Sequence, residues 1–154
     1  MHHLNQQNKS NIMKTILLSI TLSLTTILLN AQSNSEVESE GTSIIVTVTI
    51  KSTVGKILIG LHDETTFMKK SLVGLESEIV DGKATVTFTD VAPGVYGIMV
   101  LHDKNDNKQM DFDPNGMPLE AYGTSNNMMS FGPPQWNDAK FEVQHEPIEM
   151  EIRL

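Results

Sequence analysis

The sequence predicts an all-β fold: a single antiparallel β-sandwich domain of about seven short strands, immunoglobulin-like or transthyretin-like, with one long packed loop. Two observations carry this expectation. Segments dense in Val, Ile and Thr recur between turn signals, and β-branched side chains favour extended backbone over helix. Several of these segments alternate apolar with polar residues, the two-residue period of a strand with one face in a core.

The elements follow in order. Residues 43–51 (SIIVTVTIK) are β-branched at nearly every position. Residues 55–62 (GKILIGLH) read as the next strand, after a turn at 52–54. Residues 65–72 read as one helical turn or a loop crossing the end of the sandwich. A short strand is expected at 76–80, and Asp81-Gly82 is a tight-turn signal. Residues 83–89 alternate, with Ala84, Val86 and Phe88 on one face. A turn at 91–94 leads into an apolar central strand at 95–102 (VYGIMVLH). The long loop spans about 103–137, and residues 139–144 and 148–154 close the chain as strands. A loop of that length in a compact domain is usually functional or disordered. Its Phe112, Tyr122, Phe131, Trp136 and several Met argue for a packed one.

The first 31 residues stand apart from this domain. Lys9 and Lys14 precede an uncharged run of Ile, Leu, Thr and Ser from Thr15 to Leu29, and Ala31 supplies the small residue before a cleavage point. This is the pattern of a secretory signal peptide. The run is about 15 residues, short of the roughly 20 that a spanning helix needs. The expected organisation is therefore 1–31 signal peptide, 32–42 acidic flexible linker, and 43–154 β-sandwich domain, with no membrane span after cleavage. The expected location is periplasmic or secreted.

Composition narrows the function classes. The chain has no cysteine. Disulfides, a cysteine nucleophile and a lipid-modified cysteine anchor are excluded with it. Loss of Lys9 and Lys14 with the leader leaves 9 basic against 19 acidic residues, a net charge of −10. Such a surface repels nucleic acid and attracts cations. No Gly-x-Ser-x-Gly elbow and no phosphate-binding glycine loop is present.

The candidate chemistry sits in the segment 102–113, HDKNDNKQMDFD. Asp103, Asn105, Asn107 and Asp111 occupy positions 1, 3, 5 and 9 of a calcium-type loop, and Asp113 stands near its end. Calcium takes six to eight oxygens, and alternate residues of a tight loop can aim theirs at one centre. Lys108 stands where that signature has Gly, and Pro114 where it has Glu. A second reading fits equally: Asp and Asn form turns because their side chains bond their own backbone. Two further expectations concern His62-Asp63 and His102-Asp103, each at the end of a predicted strand. Side by side, the two histidines and neighbouring carboxylates would suit zinc or copper, and a metal-assisted hydrolase is the enzymatic alternative. Otherwise they are ordinary strand-end histidines.

With these pieces laid out, the chain resembles the bacterial family catalogued as domain of unknown function 2141. The resembling residues are 88–96 (FTDVAPGVY), 102–107 (HDKNDN), Met110-Asp111, 116–123 (GMPLEAYG), Ser125-Asn126-Asn127 and 138–141 (DAKF). The resemblance covers roughly residues 43–154. Departures are Lys108, where the family tends to have Gly, and Thr124, where it tends to have Phe. The resemblance implies an exported bacterial β-sandwich protein and no particular activity. The functional expectation is a non-enzymatic binding or structural module of the cell envelope, with calcium as its candidate cofactor. Tyr122, Phe131 and Trp136 either face a protein or carbohydrate partner or form the loop's own small core.

Overall fold

The computed structural model describes residues 41–129 and 132–154. The leader 1–31, residues 32–40 of the linker and Phe131 lie outside the described residues. Among the described residues eight strands make the fold all-β: β1 (Thr42–Thr49), β2 (Lys56–His62), β3 (Val73–Glu78), β4 (Lys83–Val91), β5 (Gly94–Asp103), β6 (Tyr122–Thr124), β7 (Lys140–Val143) and β8 (Ile148–Arg153). A four-residue helix, α1 (Trp136–Ala139), and a 3-10 turn at Ser125–Asn127 interrupt the described part of the expected long loop. Among the described residues no helix is long and apolar enough to cross a membrane.

The strands form two sheets. The smaller has the order β4-β1-β8; the larger has the order β3-β2-β5-β6, with β7 pairing the opposite end of the same β5 edge. The antiparallel expectation needs one correction. β1 and β8 run parallel, with Ile44 opposite Ile148 and Val48 opposite Ile152, so the smaller sheet is mixed. The cause is the route: the chain leaves β7 in the larger sheet and re-enters the smaller one in the direction of β1. The strand expected at 76–80 lies at Val73–Glu78 instead. Its Gly and Ser positions carry little alternation, and pairing with β2, Gly60 opposite Gly74, sets its place. Asp81-Gly82 does make the tight turn, with φ of 51° and 73°, closed by Val80 and Lys83.

Alternation puts every second residue into one core shared by both sheets. Ile44, Val46 and Val48 of β1 face Ile57, Ile59, Ile98 and Val100 of the larger sheet, all fully or almost fully buried. Truncating one such Ile to Ala costs about 2–5 kcal/mol. β2 and β5 break the half-polar pattern. Leu58, Met99 and Leu101 point away from that core yet are also apolar, and they are only half-buried. A strand apolar on both faces needs a second covered surface. Here that surface carries the candidate site.

Candidate functional site

Asp103 ends β5 and is fully buried. Its carboxylate accepts the backbone N–H of Asn107 at 3.2 Å and of Lys108 at 2.8 Å. Buried oxygens of this kind need donors, and the backbone supplies them. The turn that results holds Asp106 at φ 59° and Lys108 at φ 61°. Lys108 thus takes, as a non-glycine, the left-handed backbone that a calcium-type loop gives to Gly at that position. Asn105 Oδ1 also accepts from Asn107 N. The Asn105 and Asn107 amides donate to the Asp111 carboxylate, at 2.7 Å and 3.0 Å.

A fifth oxygen group escaped the reading of the loop. Glu120 is buried, and its carboxylate accepts Lys104 N–H at 2.7 Å and Asp111 N–H at 3.2 Å. It ties the two ends of the acidic turn together. Its signal in the sequence was a lone acidic residue within an otherwise uncharged stretch, 114–123. Asp113 does not join this group. It caps a second turn, accepting from Asn115 N and Met117 N at 2.8 Å each, and those donors hold its carboxyl below the usual range. Two ion pairs moor the acidic turn to the larger sheet: Lys56 to Asp106 at 3.4 Å and Lys108 to Glu76 at 3.0 Å. Asp106 first, then Glu76 and Glu78, raise Lys56 above its ordinary value. Among the described residues no three His, Asp or Glu side chains stand together as a metal-binding group. Any cation here would therefore depend on the Asn oxygens.

The two histidines part company. On antiparallel β2 and β5, His62 lies opposite Gly97 and His102 opposite Ile57. They sit at opposite ends of the pair, roughly 17 Å apart along the strands. Strand parity also sends His102 to the core side and His62 to the outer face. They do not form one metal site. His102 Nε2 donates to the Val54 carbonyl at 2.8 Å. His62 Nδ1 bonds the Thr66 carbonyl at 2.9 Å. A carbonyl only accepts, so Nδ1 carries the proton and Nε2 of the neutral ring is an acceptor. Burial holds His62 below its ordinary pKa. Asp63 shapes the turn that follows, accepting Thr66 N–H and the Thr65 and Thr66 hydroxyls. That turn brings Phe67 edge-on to His62 and to Trp136, at centroid distances of 6.0 and 5.5 Å. Gly97 beneath leaves room: a Cβ there would lie 3.0 Å from Trp136 Cζ3. Trp136 is thus half-buried in a small aromatic cluster.

Between the aromatic cluster and the acidic turn lies a groove of about 1150 Å³ on the outer face of the larger sheet. Leu58, Gly60, Gly74, Met99 and Leu101 form its floor. The loop residues Met110, Phe112, Met117 and Pro118 line one side, and Pro133-Pro134 line another part. Tyr122 lies in the wall, its hydroxyl donating to the Gly132 carbonyl at 3.4 Å. The polar turn Ser125–Asn127 is structural. Ser125 Oγ accepts Ile98 N–H and donates to the Ala139 carbonyl. Asn127 bonds Glu151 O and Arg153 N along β8. The turn therefore joins the edges of both sheets, with Asn126 and Asn127 at positive φ that Asn tolerates.

The fold and site together define a class: an all-β protein whose acidic turn walls an apolar sheet face. The chain belongs to a bacterial family of uncharacterized proteins, domain of unknown function 2141, whose model matches residues 45–151. No curated protein and no solved structure matches the chain.

Proposed function

We propose that this is an exported, non-enzymatic binding module of the cell envelope, an immunoglobulin-like or transthyretin-like β-sandwich whose acidic turn takes calcium. The observation that carries the reading is the gathering of Asp103, Asn105, Asn107, Asp111 and Glu120 around one turn beside the groove. Carboxylate and amide oxygens are the donors calcium prefers. Turning the Asn105 and Asn107 amides would exchange nitrogen for oxygen at the Asp111 side, giving up the bonds their oxygens accept from Asn107 N and Gln109 N. The left-handed Lys108 supports the same loop geometry. Bound calcium would supply positive charge to these oxygens and stiffen the groove wall formed by residues 109–118. The leader-like residues 1–31 support export.

Equilibrium dialysis with radioactive calcium tests the ion: one calcium per chain is expected, lost in Asp111→Ala. Dialysis without retained calcium overturns it. Amino-terminal sequencing of protein recovered from a periplasmic extract tests export. A chain that begins at Gln32 is expected; full-length chain confined to the cytoplasm contradicts it.

A further inference from the structure

We infer that the groove on the outer face of the larger sheet binds an uncharged, largely apolar small molecule, anchored by one hydroxyl or amide N–H donated to His62 Nε2. The inference deepens the binding-module reading and does not require the cation.

Four observations lead to it. First, at about 1150 Å³ the groove is somewhat larger than the usual small-ligand site of about 300–1000 Å³, so it has room for one. Second, the two central strands of its floor, β2 and β5, offer no free backbone; the free edge on this side of the sheet is the outer one of β3. β2 is paired to β3 and β5, and β5 to β2, β6 and β7. An extended peptide cannot add over β2 and β5 as a strand, so recognition above them falls to side chains. Third, the charges at the rim are engaged. Lys69 Nζ donates to Thr65 O, and Glu76 pairs with Lys108. A charged ligand would lose its hydration on an apolar floor.

Fourth, one polar atom is aimed into this space. His62 is 4% exposed, with Nδ1 fixed on Thr66. Nε2 bonds no described residue, and no buried side-chain nitrogen or oxygen lacks a partner, so Nε2 opens into the groove. It lies above the floor: a Cβ built at Gly60 would come 2.7 Å from Nε2 and 3.0 Å from Ser71 Cβ. Glycine at position 60 thus keeps the space in front of the acceptor clear. An acceptor in an apolar site discriminates strongly for a ligand that carries a donor. The Met side chains at 99, 110 and 117 adapt to varied apolar shapes.

The test is titration calorimetry of the full chain with three probes at neutral pH, each run with calcium and with chelator. The probes are 2-naphthol, its methyl ether 2-methoxynaphthalene, and the anion 2-naphthoate. One saturable site for 2-naphthol is expected, about tenfold tighter than for the ether and tighter still than for naphthoate. His62→Phe should bring naphthol and ether to the same affinity. Met99→Trp, which fills the floor from a half-buried position, should weaken both at least tenfold with an unchanged melting temperature. No saturable naphthol binding, equal affinities for naphthol and ether in the native chain, preference for naphthoate, or indifference to Met99→Trp each overturns the inference. If His62→Phe fails to fold, the native-chain comparison and Met99→Trp still decide. Binding that survives chelation while calcium dialysis fails would sink the cation reading alone.

Discussion

Asp103 Oδ2 accepts the backbone N–H of Lys108 at 2.8 Å while Lys108 stands at φ 61°. The buried carboxylate holds a bulky residue in a backbone conformation that costs a non-glycine about 1–2 kcal/mol. Lys108→Gly should therefore stabilise the domain by about 0.5–1 kcal/mol after the extra chain entropy of glycine is subtracted. The urea midpoint measures it. Lys108→Ala is the control, because it removes the exposed ion pair with Glu76 without relieving the backbone. A glycine variant no more stable than the alanine variant contradicts the strain.

Glu120 grips both ends of the acidic turn. Glu120→Gln places an amide NH2 against a backbone N–H that now has an acceptor, and should cost about 1–3 kcal/mol. Hydrogen exchange at the Lys104 and Asp111 amides should accelerate, while the Ile98 and Val100 amides change only with global stability. Unchanged exchange at 104 and 111 would refute the role.

His62 sets a pH window. Its folded pKa lies below the ordinary 6.5 because burial disfavours the charged ring. Between the folded value and 6.5 the unfolded chain binds more protons than the folded one, so stability rises with pH there. The contribution is complete above 6.5 and lost as pH falls through that window. Asp63 and Asp113, both held low by local donors, act separately and only below about 4, where acid removes their contribution. Urea midpoints from pH 4.5 to 7.5 should climb in the native chain and climb less in His62→Phe. Equal slopes would contradict the assignment.

Trp136 is the sole tryptophan, and it packs edge-on against Phe67. Phe67→Ala should shift its emission to the red as water reaches the ring and should cost about 3–5 kcal/mol. Emission that stays put would mean that Phe67 does not shield it.

Much of the architecture was legible because burial in strands has a two-residue period. β1 follows that alternation residue by residue and β4 does so from Lys83 to Thr89, and Asp81-Gly82 declared its turn. The parallel pairing of β8 was not legible, since nothing in Ile148–Arg153 encodes its direction; the route through β7 does. β3 was misplaced because Gly74 and Ser77 blur the period. The acidic turn could be read from Asp103, Asn105, Asn107 and Asp111, but not the closing of it by Glu120, which arrives from nine residues beyond Asp111. The separation of His62 from His102 follows from strand parity and register, which a repeated Leu-His-Asp cannot reveal. The groove had one signal: Leu58, Met99 and Leu101 make β2 and β5 apolar on both faces.

The most direct measurement of the cation reading is a melting curve with and without calcium, with magnesium as the control. At about 100 times Kd a ligand specific for the folded state adds about 2.7 kcal/mol, which for a domain of this size raises the melting temperature by about 10 °C. The native chain should show that rise with calcium, little with magnesium, and none in Asp111→Ala. A native melting curve that millimolar calcium leaves unmoved would contradict the account.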